Sequence, residues 1–376
     1  MVLPFLSKYL KEDLGFSYGQ VGWIMVCFGV GSMLGSWLGG KLSDKIGFYK
    51  IMIFSLLTSG LLFLAIQFVT SFIGLCISMF VIMSVADMYR PAMFVSIGAY
   101  AKPENRTRAL TLVRLAINLG FAAGPALGGL IIMSIGYKGL FWVDGLSCII
   151  AISIFWLKVK EKKKSAFTDK EHPGEILTHS VFKDKPFWLF LFTCLVSGIL
   201  FFQVFTTIPL YHREQFNLSE FQTGLLLTMN GLLVFFCEMP IVSYVERKKI
   251  NKVKMVTLGC LLMAISMFLM LINTWVGILT IMMLFMTFAE MFAFPFSNSV
   301  ALSRAPKGHE GRYMAIYTMS FSLAHILSAK VGMEIIEYYK TDGYQMNWLY
   351  MGTFGLLGTA CGFWVYKLIQ AENKPL

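Results

Sequence analysis

Residues 35–50 join two long apolar runs through a short charged turn, and this arrangement constrains the fold more than any other stretch. The apolar run 22–38 precedes the turn, which carries Lys41, Asp44 and Lys45, and a second apolar run follows. About 20 apolar residues rising 1.5 Å each cross the hydrocarbon layer of a bilayer. Of the 376 residues, 57% are hydrophobic and 14% are charged, whereas a soluble domain carries about 25% charged residues. The sequence therefore predicts an all-α membrane protein with many spans.

Polar turns separate the apolar runs and allow the spans to be counted. Eleven complete spans are predicted, near 19–41, 47–69, 72–101, 106–134, 138–158, 186–212, 219–246, 251–272, 274–304, 308–338 and 345–370. The opening residues, 1–14, have the character of the outer end of one more helix, so we expect a first helix whose beginning is missing. No cleavable signal peptide is expected, because the apolar run 1–6 is short and has no basic region before it.

Basic residues lie mainly on one side of the predicted spans. If the turn holding Asp44 is cytoplasmic, the connections on its side carry 24 of the 32 Lys and Arg residues and those on the opposite side carry five. Cytoplasmic loops of membrane proteins are enriched in Lys and Arg. We therefore expect a multi-pass protein of the cell (inner) membrane with a cytoplasmic C-terminus. Because topology accounts for the net charge of +11, no nucleic-acid partner is expected.

The longest polar connection, which is rich in Lys, divides the chain into halves. We predict an N-terminal six-helix bundle over 1–158 with helix 1 incomplete, a cytoplasmic linker over 159–185, and a C-terminal six-helix bundle over 186–376. The halves echo each other at an offset near 203 residues, and Ala-Asp-Met at 86–88 parallels Ala-Glu-Met at 289–291. Two related halves around a midplane site are a design of secondary transporters.

The charged turn also has the spacing of a known signature. Gly40, Asp44, Lys45 and Gly47 fit a pattern of roughly G-x-L-(A/S)-D-(R/K)-x-G-(R/F)-(K/R). This resembles the loop between helices 2 and 3 of the major facilitator superfamily (MFS), which implies two six-helix bundles related by pseudo-two-fold symmetry. The resemblance also implies that the Asp44 carboxylate lies against the amino end of the helix near 308–311, where it closes the cytoplasmic side. The alternative is a solvated loop carboxylate.

Span 5 contains a second glycine-rich motif. Its residues, which fit G-x-x-x-G-P-x-x-G-G, are Gly120, Gly124, Pro125, Gly128 and Gly129. In the superfamily that it resembles, this pattern marks drug–proton antiporters. Glycines four apart permit close helix approach, and proline removes one backbone hydrogen bond and permits a bend. The alternative is ordinary helix packing, since small residues at this spacing are common in membrane helices.

Charged residues inside the spans are candidates for proton coupling. They are Asp87, Glu290, Glu238, Arg90 and Arg114. A charge within the hydrocarbon layer is expensive and often marks a proton relay or an ion pathway. Arg90 follows Asp87 by one helical turn, within reach for an i,i+3 pair. The alternative for each carboxylate is a permanent structural ion pair.

A central cavity is expected among spans 1, 4, 7 and 10 of such a transporter. The candidates for its lining are Phe202, Gln203, Phe205, Thr206, Asn118, Phe294 and Asn298. With 34 Phe and 24 Met in the chain, an aromatic and polarizable wall would suit amphipathic organic solutes. The alternative is that these rings face lipid.

The seven cysteines lie in apolar stretches and show no C-x-x-C spacing. We therefore expect neither a disulfide framework nor a metal site. No cofactor and no enzymatic activity are expected, because no span shows a nucleophile–base pair or a metal triad.

These features favour a secondary active transporter that works by alternating access. The preferred prediction is proton-coupled antiport with multidrug efflux of small amphipathic organic solutes. One alternative is proton-coupled uptake or facilitated transport of a small metabolite such as a peptide, sugar or organic acid. A second alternative is a non-transporting membrane sensor. The expected partners are the small-molecule substrate, protons and the lipid bilayer, with the monomer as the working form.

Overall fold

A computed structural model describes residues 2–101, 106–161, 184–272, 274–305 and 310–372. Over these residues the chain is almost entirely helical and contains no strand. A π-helical turn, Tyr9–Asp13, extends the first helix, and short 3-10 turns follow the seventh and twelfth. The helices are α1 Leu3–Lys8, α2 Tyr18–Lys45, α3 Phe48–Ile66, α4 Phe72–Ala86, α5 Tyr89–Tyr100, α6 Arg106–Lys158, α7 Lys185–Phe202, α8 Thr207–Phe216, α9 Glu220–Arg247, α10 Lys252–Leu269, α11 Gly277–Arg304, α12 Glu310–Tyr339 and α13 Gly343–Glu372.

Several helices begin where polar side chains bind their first free amide groups. Ser17 and Gln20 form a reciprocal capping box at the start of α2. The Asn251 side chain accepts hydrogen bonds from two amides at the start of α10. Asp184 caps α7, where Pro186 occupies the first turn. These caps fix the helix starts close to the predicted positions.

Nine helical stretches within the described residues are long and apolar enough to cross a membrane. Two of them, Ala116–Lys158 and Ile316–Glu372, are 43 and 57 residues long and each contains a break. The first break is at Gly136, whose φ of 77° is outside the helical region, and the second is the turn Lys340–Asp342. Both breaks fall where the sequence predicts a connection between spans, so the multi-span helical prediction is confirmed.

Two predicted spans, 72–101 and 186–212, are interrupted in the structure. α4 ends at Ala86 before α5 begins, and α7 gives way to a 3-10 turn, Gln203–Phe205, before α8. A proline, Pro91 or Pro209, follows each interruption. In a continuous helix its ring would clash with the carbonyl four residues earlier, at Asp87 or Phe205. These interruptions place polar groups inside the predicted spans.

The chain forms two compact units. The first comprises Met1–Lys170 with Leu218–Leu225, and the second comprises Glu171–Asn217 with Leu226–Leu376. Inside the first unit, Phe48 and Met52 of α3 form a core with Met88. Inside the second, aromatic and aliphatic side chains of α7, α10, α11 and α12 form a larger core. The predicted linker, 159–185, lies mostly outside the described residues.

Candidate functional site

Glu290 is a buried carboxyl group in the second unit. It lies on α11 with 8% of its surface exposed, and Nδ2 of Asn230 on α9 donates a hydrogen bond to its Oε1 at 3.0 Å. The same Nδ2 lies 2.9 Å from Oγ1 of Thr287. Among the described residues, no Lys or Arg forms an ion pair with Glu290. A carboxylate held by neutral groups is costly to keep charged in hydrocarbon, so this site is chemically suited to carry a proton.

Glu238 lies on α9, the same helix as Asn230. It is half-buried and comes about two helical turns after Asn230. Its role in proton coupling stays a prediction.

Asp87 has a different environment in the first unit. It is half-buried at the interruption between α4 and α5, and the Ser32 hydroxyl of α2 donates a hydrogen bond to its Oδ2. The predicted Asp87–Arg90 pair is absent from this described segment, and Arg90 is exposed. The reason is the interruption, which removes the regular helix that an i,i+3 pair requires. The side chain of Arg114 lies outside the part that the structure describes.

The signature turn separates α2 from α3. Gly47 has a φ of 101°, a conformation that glycine adopts without steric cost, so the short connection depends on this residue. Gly40 meets no other group where a side chain would be, and Lys45 is exposed. The Asp44 side chain and residues 306–309 are outside the described residues, so the Asp44 latch stays a prediction.

The span 5 motif packs against the start of α9, residues 220–225, within the first unit. A Cβ on Gly129 would collide with the backbone of Glu220 and Phe221, and a Cβ on Gly224 would collide with the backbone at Pro125. Gly128 makes room for the Phe5 ring, whereas Gly120 has open space beside it. α6 continues through Pro125 without a break. The geometry thus gives Gly129 and Pro125 a role in close helix contact.

A buried ion pair lies beside this contact. Nζ of Lys8 is 3.1 Å from Oε1 of Glu220, and the side chains are 0% and 15% exposed. Nearby, the Tyr137 hydroxyl donates to Oε2 of Glu12 at 3.3 Å, and its ring contacts Tyr9. The sequence does not predict this pair, because its members lie 212 residues apart. The sequence does place an acidic residue, Glu220, at the start of α9. An acidic residue in that position predicts a favourable interaction with the helix dipole and does not point to a distant lysine.

Three predicted cavity residues are buried inside the second unit. Gln203, Phe205 and Thr206 lie at the interruption of α7. The Gln203 amide donates to the Ser328 carbonyl at 2.9 Å and accepts from Asn347 at 3.3 Å. These bonds satisfy the buried Gln203 amide and join the break in α7 to α12 and α13, so in this conformation Gln203 presents no surface to a solute.

The remaining cavity candidates are scattered. Phe202 is half-buried and its ring lies 4.7 Å from that of His325. The Phe294 ring lies 4.9 Å from that of Phe201, Asn298 is exposed, and Asn118 is half-buried on α6. Phe294 and Phe202 therefore belong to aromatic clusters, and the cavity assignment stays a prediction.

A charged network joins three helix ends in the second unit. The Arg304 guanidinium donates to both Asp184 carboxylate oxygens at 2.9 Å, and it also pairs with Glu372. The Tyr313 hydroxyl donates to Asp184 at 3.1 Å. Burial would raise the pKa of Asp184, but the bonds from Arg304, the Phe187 amide and Tyr313 lower it below its usual value. The network joins the start of α7 to the ends of α11 and α13.

Asp184→Asn is expected to lower the free energy of unfolding of the purified protein at pH 7 by about 1–2 kcal/mol, because the charge-assisted bonds to Arg304 are lost. The contribution of a carboxylate with a lowered folded pKa is present above its unfolded pKa and is lost as the pH falls through its folded pKa. The gap between wild type and variant should therefore close below about pH 4. Unfolding curves in detergent, recorded at pH 7 and below about pH 4, measure the difference in stability between wild type and variant. A difference that persists in acid would contradict the role given to the ionised Asp184.

Comparison with known proteins gives a family match over most of the chain. Residues 1–329 match the family described as Major Facilitator Superfamily. A Na(+), Li(+), K(+)/H(+) antiporter of Planococcus maritimus is 22% identical over 404 aligned residues, covering 99% of this chain and 93% of that protein. The quinolone resistance protein NorA of Staphylococcus aureus is 25% identical over 234 residues, covering 62% of this chain and 59% of NorA.

Solved transporter structures share the fold. A peptide transporter POT in complex with sulfate is similar with a TM-score of 0.79 at 14% identity, covering 98% of this chain and 90% of that one. A mutant of the nucleoside transporter NupG gives a TM-score of 0.76 at 14% identity, covering 97% of this chain and 95% of that one. At these identities the likeness concerns the fold alone, and it agrees with the predicted fold class.

Proposed function

Because this chain belongs to the Major Facilitator Superfamily, whose members are transporters and not enzymes, we propose that it is a proton-coupled antiporter of the cell membrane. Its exported substrates are small amphipathic organic solutes, and Glu290 carries the coupling proton. The observation that carries this proposal is the burial of Glu290 against neutral Asn230, with no cation paired to it among the described residues. The antiporter named among the relatives and the span 5 pattern support the same reading.

The site supplies a simple coupling cycle. A protonated Glu290 is neutral and tolerates its apolar surroundings, whereas release of the proton leaves a charge that favours a more hydrated conformation. Asn230 holds the carboxyl group through one hydrogen bond, and Thr287 holds Asn230. Protonation thus biases one conformation over another, which is the requirement for coupled alternating access.

A second candidate function is exchange of alkali cations for protons. It rests on the Planococcus maritimus relative, which matches across 99% of this chain and is named for Na(+), Li(+) and K(+) exchange. The aromatic clusters around Phe201 and Phe294 favour the organic solute instead, because aromatic faces bind planar organic cations and apolar groups.

Everted membrane vesicles discriminate between these functions. A proton gradient is established by respiration, and a pH-sensitive dye reports its dissipation when a substrate is added. Antiport of organic solutes predicts dissipation by an amphipathic cationic dye and no response to NaCl or KCl. Dissipation by the salts alone would establish the cation exchanger. A response to neither, with substrate binding retained, would identify a sensor and overturn the proposal.

A further inference from the structure

α2 and α4 contact each other backbone to backbone within the first unit. A Cβ placed on Gly31 would collide with the backbone of Phe80, and one on Gly35 would collide with the backbone of Ser84. A Cβ on Gly39 would likewise meet Met88. In each pair the partners are 49 residues apart, so the two helices run parallel in a constant register. Close approach over several turns is what small residues at this spacing permit.

A pair of cysteines continues this register by one turn. Cys27 precedes Gly31 by four residues, Cys76 precedes Phe80 by four, and the two cysteines are again 49 residues apart. The two thiols are near enough to interact with each other. Both thiols are free and half-buried. The register of the glycine contacts therefore places the two cysteines opposite each other, one turn beyond the Gly31–Phe80 contact.

The donor set determines which ion fits these thiols. Among the described residues, no group of three or more His, Cys, Asp or Glu side chains could hold a metal ion. Structural zinc requires four such ligands, so a tetrahedral site is unsuitable. Soft d10 cations are selected by thiolates, and Hg(II) is satisfied by two of them. Two thiolates with one divalent cation are neutral overall, which suits surroundings where a net charge is expensive.

We propose that Cys27 and Cys76 form a two-coordinate binding site for a thiophilic divalent cation of the mercuric type. On binding, each thiol loses one proton to the buffer, and each sulfur forms one bond to the metal. The two ligands that the ion carried, chloride in HgCl2, leave as free anions. No group is oxidised or reduced. The function of this site is separate from the antiport proposed above, which uses Glu290.

The surroundings of the cysteines allow such an ion to enter. Trp23, one turn before Cys27, is 52% exposed, and Ile73, one turn before Cys76, is 68% exposed. The half-buried cysteines thus lie one turn from apolar side chains on the outer surface of their unit. Mercuric chloride is uncharged and dissolves in lipid, so it can reach this surface from the bilayer.

Titration of the purified full chain with HgCl2 in the presence of a competing monothiol tests the site. Two thiolates on a rigid scaffold act as a chelate, so wild type should retain one ion at competitor concentrations about 100-fold above those that strip single-thiol adducts. Cys27→Ser and Cys76→Ser should each lose this resistant ion, as read by mercury–thiolate ultraviolet absorption. Cys148→Ser, which removes another half-buried membrane thiol, should retain it. A resistant ion in either single variant would overturn the proposal.

Thiol protection in the wild-type protein provides a second measurement that needs no variant. The protein is treated with HgCl2 and the competing thiol, alkylated with N-ethylmaleimide, then digested and analysed by mass spectrometry. Cys27 and Cys76 should be protected together, at one equivalent of mercury per pair. Protection of only one of them, or of neither, would also overturn the proposal.

Discussion

Glu290→Gln is expected to reduce proton-driven transport by about 100-fold or more, the size of effect typical for loss of a group that transfers a proton. Glutamine keeps the shape of the side chain and still accepts the bond from Asn230, but it cannot bind and release a proton. Substrate binding in the absence of a proton gradient should remain close to that of wild type. Everted vesicles measure the flux, and equilibrium binding of the transported dye measures the affinity.

Glu334→Gln is the matched control for this prediction. Glu334 also lies within a span, but it is exposed and forms an ion pair with Lys330 on the same helix. Its loss should leave proton-driven flux nearly unchanged. If Glu290→Gln transports at the wild-type rate while Asp87→Asn does not, the coupling group is Asp87. If both variants keep full proton-driven transport, both assignments are wrong.

Lys8→Ala is expected to destabilise the protein by about 3–5 kcal/mol, because it breaks a largely buried ion pair by removing the lysine. The double variant Lys8→Met with Glu220→Leu should recover most of this loss, since apolar residues of similar size often replace a buried pair without cost. Thermal unfolding of the purified protein in detergent measures both values.

Lys138→Ala is the matched control for the Lys8 variant. Lys138 lies in the same unit and is exposed, so its removal should change stability by less than about 0.5 kcal/mol. If Lys8→Ala is as stable as this control, then the Lys8–Glu220 pair contributes nothing to the fold. A double variant as unstable as Lys8→Ala would mean that the loss of stability comes from packing of the Lys8 side chain and not from the broken ion pair.

Local sequence patterns predicted the helices because their causes are local. Hydrophobic runs determined the spans, Gly136 determined the break inside α6, and Ser17 determined the start of α2. The interruptions near Asp87 and Gln203 were missed although Pro91 and Pro209 stand in the sequence. A proline in a membrane helix is often absorbed without a break, as Pro125 is here. The presence of a proline therefore does not by itself predict whether a membrane helix continues, as at Pro125, or is interrupted, as before Pro91 and Pro209.

The site residues depended on contacts between distant parts of the chain. Lys8 and Glu220 are 212 residues apart, and Asn230 and Glu290 are 60 residues apart. The sequence identified Glu290 as a charge within a span, since that requires only its position. It could not identify Asn230 as its partner, because many polar residues on neighbouring spans were equally available. The partners of Gln203 are equally distant in the chain, since Ser328 and Asn347 lie 125 and 144 residues away, so its sequence position predicts only a polar group within a span.

The backbone contact between α2 and α4 has a consequence for biosynthesis. The last of its glycine contacts along the chain joins Gly39 to Met88, just after the end of α4. The helix pair therefore needs no residue beyond position 88 of the 376. N-terminal parts of a chain fold first as it leaves the ribosome. This helix pair can therefore assemble in the bilayer while most of the polypeptide is still being translated. Helices that are synthesised later can then pack against it.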